Sequence, residues 1–405
     1  MSLWKTVPFW TVARRVERTG VPDARLLSVY RDWGVVPKDS RDDNFNRASE
    51  DLSNYKIVHP GDLVLNKMKT WQGSLGVSDY NGIVSPAYFV CELGPSVNGR
   101  YLHHLLRSQA MIAAFRANSK GIRPNQWDLP YEVLHDIPLP MPPLEEQRRI
   151  ADFLDDRVAR IDQIIAARQQ QVRHADRARI SLVDSVLTPA HPSGMTRLGR
   201  LATIQSGLTV DEKRSNASGG DCYPYLRVAN VQAGGLDLAE IKTVVAEEAL
   251  AKRCTLRPGD VLMTEGGDLD KLGRGTVWHG EISPCLHQNH VFAVRPAREL
   301  LVADYLALYT QSSAARSYFE RTGSKTTNLA STSASKVMAL PIPFVPISEQ
   351  RDLASECQNQ LAAVDAGVTA LISAVSLLQE YKQSLITAAV TGEFDVTTAS
   401  TKIPE

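Results

Sequence analysis

One stretch of this chain occurs twice, and it constrains the fold more than anything else in the sequence. Leu139-Pro140-Met141-Pro142-Pro143-Leu144-Glu145-Glu146-Gln147-Arg148 returns as Leu340-Pro341-Ile342-Pro343-Phe344-Val345-Pro346-Ile347-Ser348-Glu349-Gln350-Arg351. In both copies prolines impose an extended approach and an aliphatic residue, Leu144 or Ile347, sits just before a helix. Glu146-Gln147 and Glu349-Gln350 then place acidic and amide groups in a first turn whose backbone N–H groups lack partners. From there a shift of 203 residues aligns the copies without a gap. Asp162 falls on Asp365, Ser181-Leu182 on Ser384-Leu385, and Leu187-Thr188 on Val390-Thr391.

Apolar residues in the first copy step by four and three through Leu154, Val158, Ile161, Ile165, Val172 and Leu182, the seam of a coiled coil. The same phase in the second copy reads Leu361, Val364, Val368, Leu371, Val375, Leu378 and Leu385. The two seams are expected to pack on each other. Arg168, Arg179 and Lys382 interrupt them, either fixing the register or snorkelling outward.

A chain of 405 residues is too long for one ordinary core, and a repeat of about 200 residues agrees with that. The expected architecture is α/β (α+β): two similar mixed, loop-rich globular domains joined by two long antiparallel coiled-coil helices in a pseudo-two-fold internal repeat. Residues 1–143 form the first domain, 144–188 the first helix, 189–196 a linker, 197–346 the second domain, 347–391 the second helix and 392–405 a tail. The domains share an order of parts. Pro60-Gly61-Asp62 matches Pro258-Gly259-Asp260, Val84-Ser85-Pro86 matches Ile282-Ser283-Pro284, and Tyr101-Leu102 matches Tyr305-Leu306 at the start of a helix expected to run to Asn118 in one half and Arg321 in the other. The loop side chains differ: Lys67, Lys69, Trp71 and Gln72 face Glu265, Asp268, Lys271 and Arg274. One frame with two sets of loops reads as two recognition heads with different targets.

Geometry adds a ruler. A helix of about 40 residues rises about 60 Å, and the link after Thr188 spans at most about 25 Å, so the second domain starts near the far end of the first helix and the second helix runs back. Two heads so separated, lying on one face of DNA, would touch half-sites more than one duplex turn of about 34 Å apart.

Composition excludes some classes. Hydrophobic residues make up 43% and charged residues 22%, which suits a soluble globular chain, and no uninterrupted apolar run of 18 residues marks a membrane span. Met1-Ser2-Leu3-Trp4-Lys5 carries no signal-peptide core, so a cytoplasmic location is expected. Five cysteines without a C-x-x-C pair argue against a disulfide framework and against structural zinc. A net charge of zero means that nucleic-acid binding must rest on local patches.

Taken together, the duplicated Pro-x-Pro…Glu-Gln-Arg segments, the heptad helices and the ending Leu385-Ile386-Thr387-Ala388-Ala389-Val390-Thr391-Gly392-Glu393-Phe394-Asp395-Val396 resemble the specificity (S) subunit of type I restriction-modification systems over essentially the whole chain. The resemblance implies two target-recognition domains reading a bipartite double-stranded DNA site. It also implies two modification subunits, S-adenosylmethionine-dependent adenine-N6 methyltransferases, docked on the spacer helices and domains, with a restriction motor nuclease outside them. S-adenosylmethionine, ATP and Mg would then belong to those partners, with no cofactor or catalytic residue in this chain.

The residues agree with that division. There is no G-x-x-x-x-G-K-[ST] loop, no Asn/Asp-Pro-Pro-Tyr/Phe motif and no clear Pro-Asp…Glu-x-Lys cluster. His287-Gln288-Asn289-His290 reads as a strand or turn with unrelated histidines rather than as a metal site. Base edges are read by Arg, Lys, Asn and Gln, and phosphates are held by Lys, Arg, Ser and Thr. The DNA-binding candidates are therefore Lys67, Lys69, Trp71, Gln72, Arg123, Asn125 and Gln126 in the first domain. In the second they are Lys271, Arg274, Lys325, Thr326, Thr327 and Asn328. Trp71 and Trp127 also suit an ordinary core. Two other functions fit the plan: a stand-alone DNA-binding regulator of a split operator, which would bind without partners, and a two-headed protein scaffold, which would bind no DNA. Neutral charge speaks against the first, because affinity without a basic surface would have to come from a complex.

Overall fold

The structure is a computed structural model and describes residues 4–31, 33–40, 49, 51–121, 127–187, 194–210, 220–232, 234–267, 272–325 and 330–398. Contacts divide the chain into two compact units, Met1–Gln169 with Ser373–Glu405, and Gln170–Ile372, so each domain holds part of each long helix.

In the first unit, short aliphatic runs cut by turn formers make a four-stranded antiparallel sheet in the order Ala13–Val16, Tyr88–Leu93, Leu63–Asn66, Leu75–Val77. Alternation along a strand sends successive side chains to opposite faces. Leu63 and Leu65 accordingly join one core while Val64 between them joins another. Helices Gly99–Leu106 and Gln109–Asn118 cover the first face with Ile150, Ala151 and Leu154 of the first long helix and Ile386, Ala389 and Val390 of the second. Leu27, Val29, Val58 and Val84 cover the other face. The sheet is thus buried on both sides, which is why its central strand reads as a continuous aliphatic run.

The second unit repeats this. Its sheet runs Ala202–Ser206, Val291–Pro296, Val261–Thr264, Gly275–Val277. Val261 and Met263 face a core that includes Tyr305, Phe319, Val183, Leu187, Cys357 and Leu361, and Leu262 faces Trp278 and Val291. The Pro-Gly-Asp turns are structural in both units. Gly61 and Gly259 take φ of +91° and +95°, a conformation open to glycine. Each aspartate that follows is buried: Asp62 accepts from the His59 N–H at 2.7 Å and pairs with Arg18, while Asp260 accepts from the Arg257 N–H at 2.9 Å and from Arg295 at 2.7 Å.

The expected helix from Arg100 to Asn118 is two helices, and so is its counterpart, Ala303–Tyr309 and Ser313–Thr322. A buried serine makes each break, because its hydroxyl caps the second helix: Ser108 accepts from Met111 N–H at 3.4 Å and Ser312 from Ala315 N–H at 3.2 Å. Apolar periodicity runs through the break unchanged and hides it.

The long helices span Leu144–Leu187 and Ile347–Thr391. Their Pro-x-Pro approaches are strands: Pro138–Pro140 pairs with Thr6–Pro8, and Pro341–Pro343 with Met195–Arg197. The repeated glutamine does more than sit in a first turn. Gln147 is 2% exposed and accepts from the Asn98 N–H at 2.8 Å, while its amide donates to Pro142 O at 2.9 Å and Ser96 O at 3.2 Å. Gln350 does the same with Val302 N–H, Val345 O and Leu300 O at 2.9, 3.0 and 3.0 Å. Each glutamine locks the start of a long helix to the loop before its domain's own helices.

Two of the three charges that interrupt the seam fix register. In the first unit Lys382 Nζ lies 2.6 Å from the Asp162 carboxylate, while Leu154 and Val158 share a core with Ile386 and Val390. The helix segments there run antiparallel. In the second unit Arg179 pairs with Asp365, and Val183 and Leu187 share a core with Leu361 and Cys357, again antiparallel. The 203-residue shift carries Asp162 and Arg179 onto Asp365 and Lys382, so the two ion pairs are copies of one another. Along the seam Leu154, Ile161, Ile165 and Leu361 are buried, and Val158, Val172, Leu182, Val364, Val368, Leu371, Val375, Leu378 and Leu385 are half-buried.

The helix Ile347–Thr391 is long and apolar enough to cross a membrane by length and composition, although sequence reading marks no span. Asp365 within it is ion-paired, and residues near both helix ends lie in globular cores. One such helix is by itself weak evidence for a span.

Candidate nucleic-acid interface

In the first unit the strand Leu63–Asn66 runs into a loop closed by a 3-10 turn, Thr70–Gln72, with Gly73 at φ +89°. The second predicted loop, beginning at Lys120, is pinned beside it. Lys120 and Asp128 exchange backbone hydrogen bonds of 2.9 Å, Leu129 N–H donates to Lys67 O at 3.1 Å, and Lys67 Nζ lies 2.9 Å from the Asp128 carboxylate. Two loops about 60 residues apart in sequence thus share one base.

An aromatic pair supports that base. The rings of Trp71 and Trp127 lie 5.0 Å apart, the Arg116 guanidinium sits 5.9 Å over Trp127, and Trp71 Nε1 donates to Met68 O at 3.1 Å. Trp71 is only 7% exposed, so its indole braces the loop rather than facing outward. Lys69 and Met68 project into solvent, and Lys67 and Gln72 are half-buried. The loop therefore offers ammonium groups, an amide and an apolar side chain on a braced base, the mixture that suits phosphates and base edges. Arg123, Asn125 and Gln126 lie outside the described residues.

The second unit joins the equivalent loops differently. Gly266–Gly267 pairs with Ala330–Ser331, which pairs with Ser324–Lys325, and Thr332 N–H donates to Glu265 O at 2.7 Å. The Glu265 carboxylate lies 2.5 Å from His290 Nδ1, and Lys336 Nζ lies 3.1 Å from Ser324 Oγ. Lys325 has its backbone in this small sheet; Lys271, Thr326, Thr327 and Asn328 lie outside the described residues. Arg274 immediately precedes the strand Gly275–Val277 and is half-buried. It shares a surface concavity with Arg177 and Arg316, which sequence reading passes over because nothing in their spacing links them.

The two histidines face different partners. His287 is fully buried, with Nδ1 2.6 Å from Val291 O and Nε2 3.3 Å from the Gln205 amide, whereas His290 faces Glu265. Burial lowers the His287 pKa from its ordinary value. Among the described residues, no three His, Cys, Asp or Glu side chains cluster to hold a metal. All five cysteines are free, four of them buried; burial pushes the Cys91 and Cys285 thiols up to about 12 and Cys357 up to about 11.

Residues 50–174 match the family model described as the type I restriction modification DNA specificity domain. Over 308 residues the chain is 26% identical to the type I restriction enzyme EcoKI specificity subunit of Escherichia coli K12, an alignment covering 71% of this chain and 63% of that protein. It is 22% identical over 370 residues to the EcoBI specificity subunit of Escherichia coli, covering 83% of this chain and 74% of that one. A solved chain from a type I restriction-modification system superposes with a TM-score of 0.73 at 18% identity, covering 96% of this chain and 98% of that one. The HsdS subunit from Thermoanaerobacter tengcongensis gives 0.50 at 18% identity, covering 96% and 97%. These matches bear out the resemblance carried by the repeated motifs, and the α/β architecture of two domains with long helices is the fold of the matched structures.

Proposed function

We propose that this chain is the DNA-specificity subunit of a type I restriction-modification complex, reading a bipartite double-stranded site with one loop pair in each unit. The observation that carries the reading is the duplicated frame. In both halves the backbone of the second loop's exit hydrogen-bonds to the first loop, Leu129 to Lys67 and Thr332 to Glu265, while the side chains displayed differ. Such a frame specifies two targets without altering its core. Phosphate contacts orient each domain on the duplex, and residues such as Lys67, Lys69, Gln72 and Arg274 supply base or phosphate contacts.

Helices of 44 and 45 residues, each about 66 Å long, act in this reading as the ruler between half-sites. Two modification subunits and a restriction subunit assemble on the chain and bring S-adenosylmethionine, ATP and Mg; this chain catalyses nothing itself and works in the cytoplasm. Large exposed side chains on the second long helix, Ile372 at 56% and Leu377 at 65%, suit a helix that partners cover.

The test is to express the chain with a cognate adenine methyltransferase subunit and map N6-methyladenine across the host genome. One motif of two short blocks separated by a fixed run of unspecified bases is expected. An assembled complex that adds no methylation would refute the reading and leave the regulator and the scaffold.

A further inference from the structure

The second unit carries a basic surface pocket to which the candidate reading loop contributes only Arg274. Its volume is about 590 Å³, and its lining includes Arg177, Arg179, Arg274, Arg316 and Gln311, with Asp176 and Asp365 as the acids. Arg179 is neutralised by Asp365 across the two long helices. Among the described residues, the side chains of Arg177, exposed on the first long helix, and Arg316, half-buried on the helix Ser313–Thr322, make no hydrogen bond or ion pair. Among the described lining residues Arg177 and Arg316 therefore present two guanidiniums beyond the Arg179–Asp365 pair.

The internal repeat shows that the frame does not require these arginines. Strand register places Val77 opposite Leu63 and Val277 opposite Val261, which makes Ser74 the counterpart of Arg274. The capping serines Ser108 and Ser312 make Ile112 the counterpart of Arg316, and the 203-residue helix repeat puts Glu380 at the position of Arg177. At each of these three positions the first unit has no cation. Side chains that the scaffold does without in one copy, and that converge on one concavity in the other, are explained by what the concavity receives.

From this convergence we propose that the pocket is a phosphate-binding site in which the Arg177 and Arg316 guanidiniums hold phosphate oxygens. Guanidinium forks match phosphate geometry and cannot be deprotonated. Because Arg274 is itself a candidate DNA-reading residue, the phosphodiester backbone of bound duplex is the favoured source. A soluble phosphorylated ligand has the same chemistry. The duplex source rests on the specificity-subunit reading; the phosphate site itself does not.

The experiment has two arms, run on wild type, Arg177→Ala/Arg316→Ala, and Arg316→Lys. In the first, the full chain assembled with a modification subunit binds a fluorescent duplex at several salt concentrations. Each lost phosphate contact lowers the slope of log affinity against log salt by about 0.9, so the double variant is expected to lose about 2 from the slope, equally for target and unrelated duplexes, while Arg316→Lys keeps the wild-type slope. In the second, inorganic pyrophosphate is titrated against the melting temperature of the full chain. A slope change assigns the pocket to DNA; a pyrophosphate shift present in wild type and lost in the double variant, with the slope unchanged, assigns it to a soluble phosphate. If wild type binds duplex and a correctly melting double variant matches it in both arms, the phosphate site is refuted and the reading of function stands. If wild type binds no duplex, that reading fails, and the pyrophosphate arm still decides the pocket.

Discussion

Replacing Gln147 by leucine should unfasten the first long helix from its domain and leave the second unit untouched. The side chain is 2% exposed and serves three backbone groups. Ser96 is exposed, so its carbonyl regains water when the amide is gone; the Asn98 N–H and the Pro142 carbonyl are less well placed to do so. An orphaned buried donor or acceptor costs about 1–3 kcal/mol, which for two groups, allowing for partial solvation of Asn98, comes to about 2–4 kcal/mol. At about 1.4 kcal/mol per tenfold, that is a loss of about 30- to 1,000-fold in amide protection. Hydrogen exchange read by mass spectrometry localises the effect, which a bulk melt of a two-unit chain would blur. Protection should fall in Gly99–Leu106 and in the first turns of Leu144–Leu187 and stay unchanged in Ala303–Tyr309. Gln350→Leu should give the mirror result. Gln147→Glu sharpens the test: a carboxylate keeps the acceptor for Asn98 but places charge against the Pro142 carbonyl, and only its protonated form donates. Its folded pKa is thereby raised, so the variant should be more stable at low pH and lose that stability as pH rises. Unchanged protection in Gln147→Leu, or equal loss in both units, would refute the role assigned to the repeated glutamine.

The cross-helix pair of Asp162 and Lys382 is partly exposed, with 50% and 23% of the side chains open to solvent, so a double-mutant cycle with Asp162→Asn and Lys382→Met should return a coupling of no more than about 1 kcal/mol, shrinking with salt. Gly273 has φ of +68° and a Cβ added there would lie 2.3 Å from the Phe319 ring, so Gly273→Ala should lower the melting temperature sharply, whereas Gly61→Ala, with open space but φ of +91°, should cost about 1 kcal/mol. Thiols held near 12 are protonated at pH 8 and react poorly, so brief iodoacetamide treatment of the native chain should label the exposed Cys222 well before Cys91 or Cys285, and urea should abolish the difference. Lys69→Ala should weaken methylation directed by the first reading loop while leaving the second half-site's base preference intact, as measured by the genome map of N6-methyladenine.

The sequence by itself determined the duplicated plan, because local chemistry repeated in a set order needs no tertiary information to be seen. Prolines, the Glu-Gln-Arg start and an apolar period of four and three announce a long helix, and the Pro-Gly-Asp turn demands a glycine that tolerates positive φ. It also singled out Arg179 and Lys382 as exceptions to the seam. What those exceptions do depended on their partners, Asp365 and Asp162, which lie on the opposite helix 186 and 220 residues away in sequence and come within reach only when the helices pack antiparallel. Tertiary structure likewise decided that one periodic run is two helices, since Ser108 and Ser312 cap only because the chain turns there. It decided that Gln147 and Gln350 serve distant loops, that Trp71 faces inward onto Trp127, and that Arg177, Arg274 and Arg316 meet in one pocket. Helix and turn propensities are properties of neighbours in the chain. Buried hydrogen bonds, ring contacts and charge clusters are properties of neighbours in space, and no spacing in the sequence encodes them.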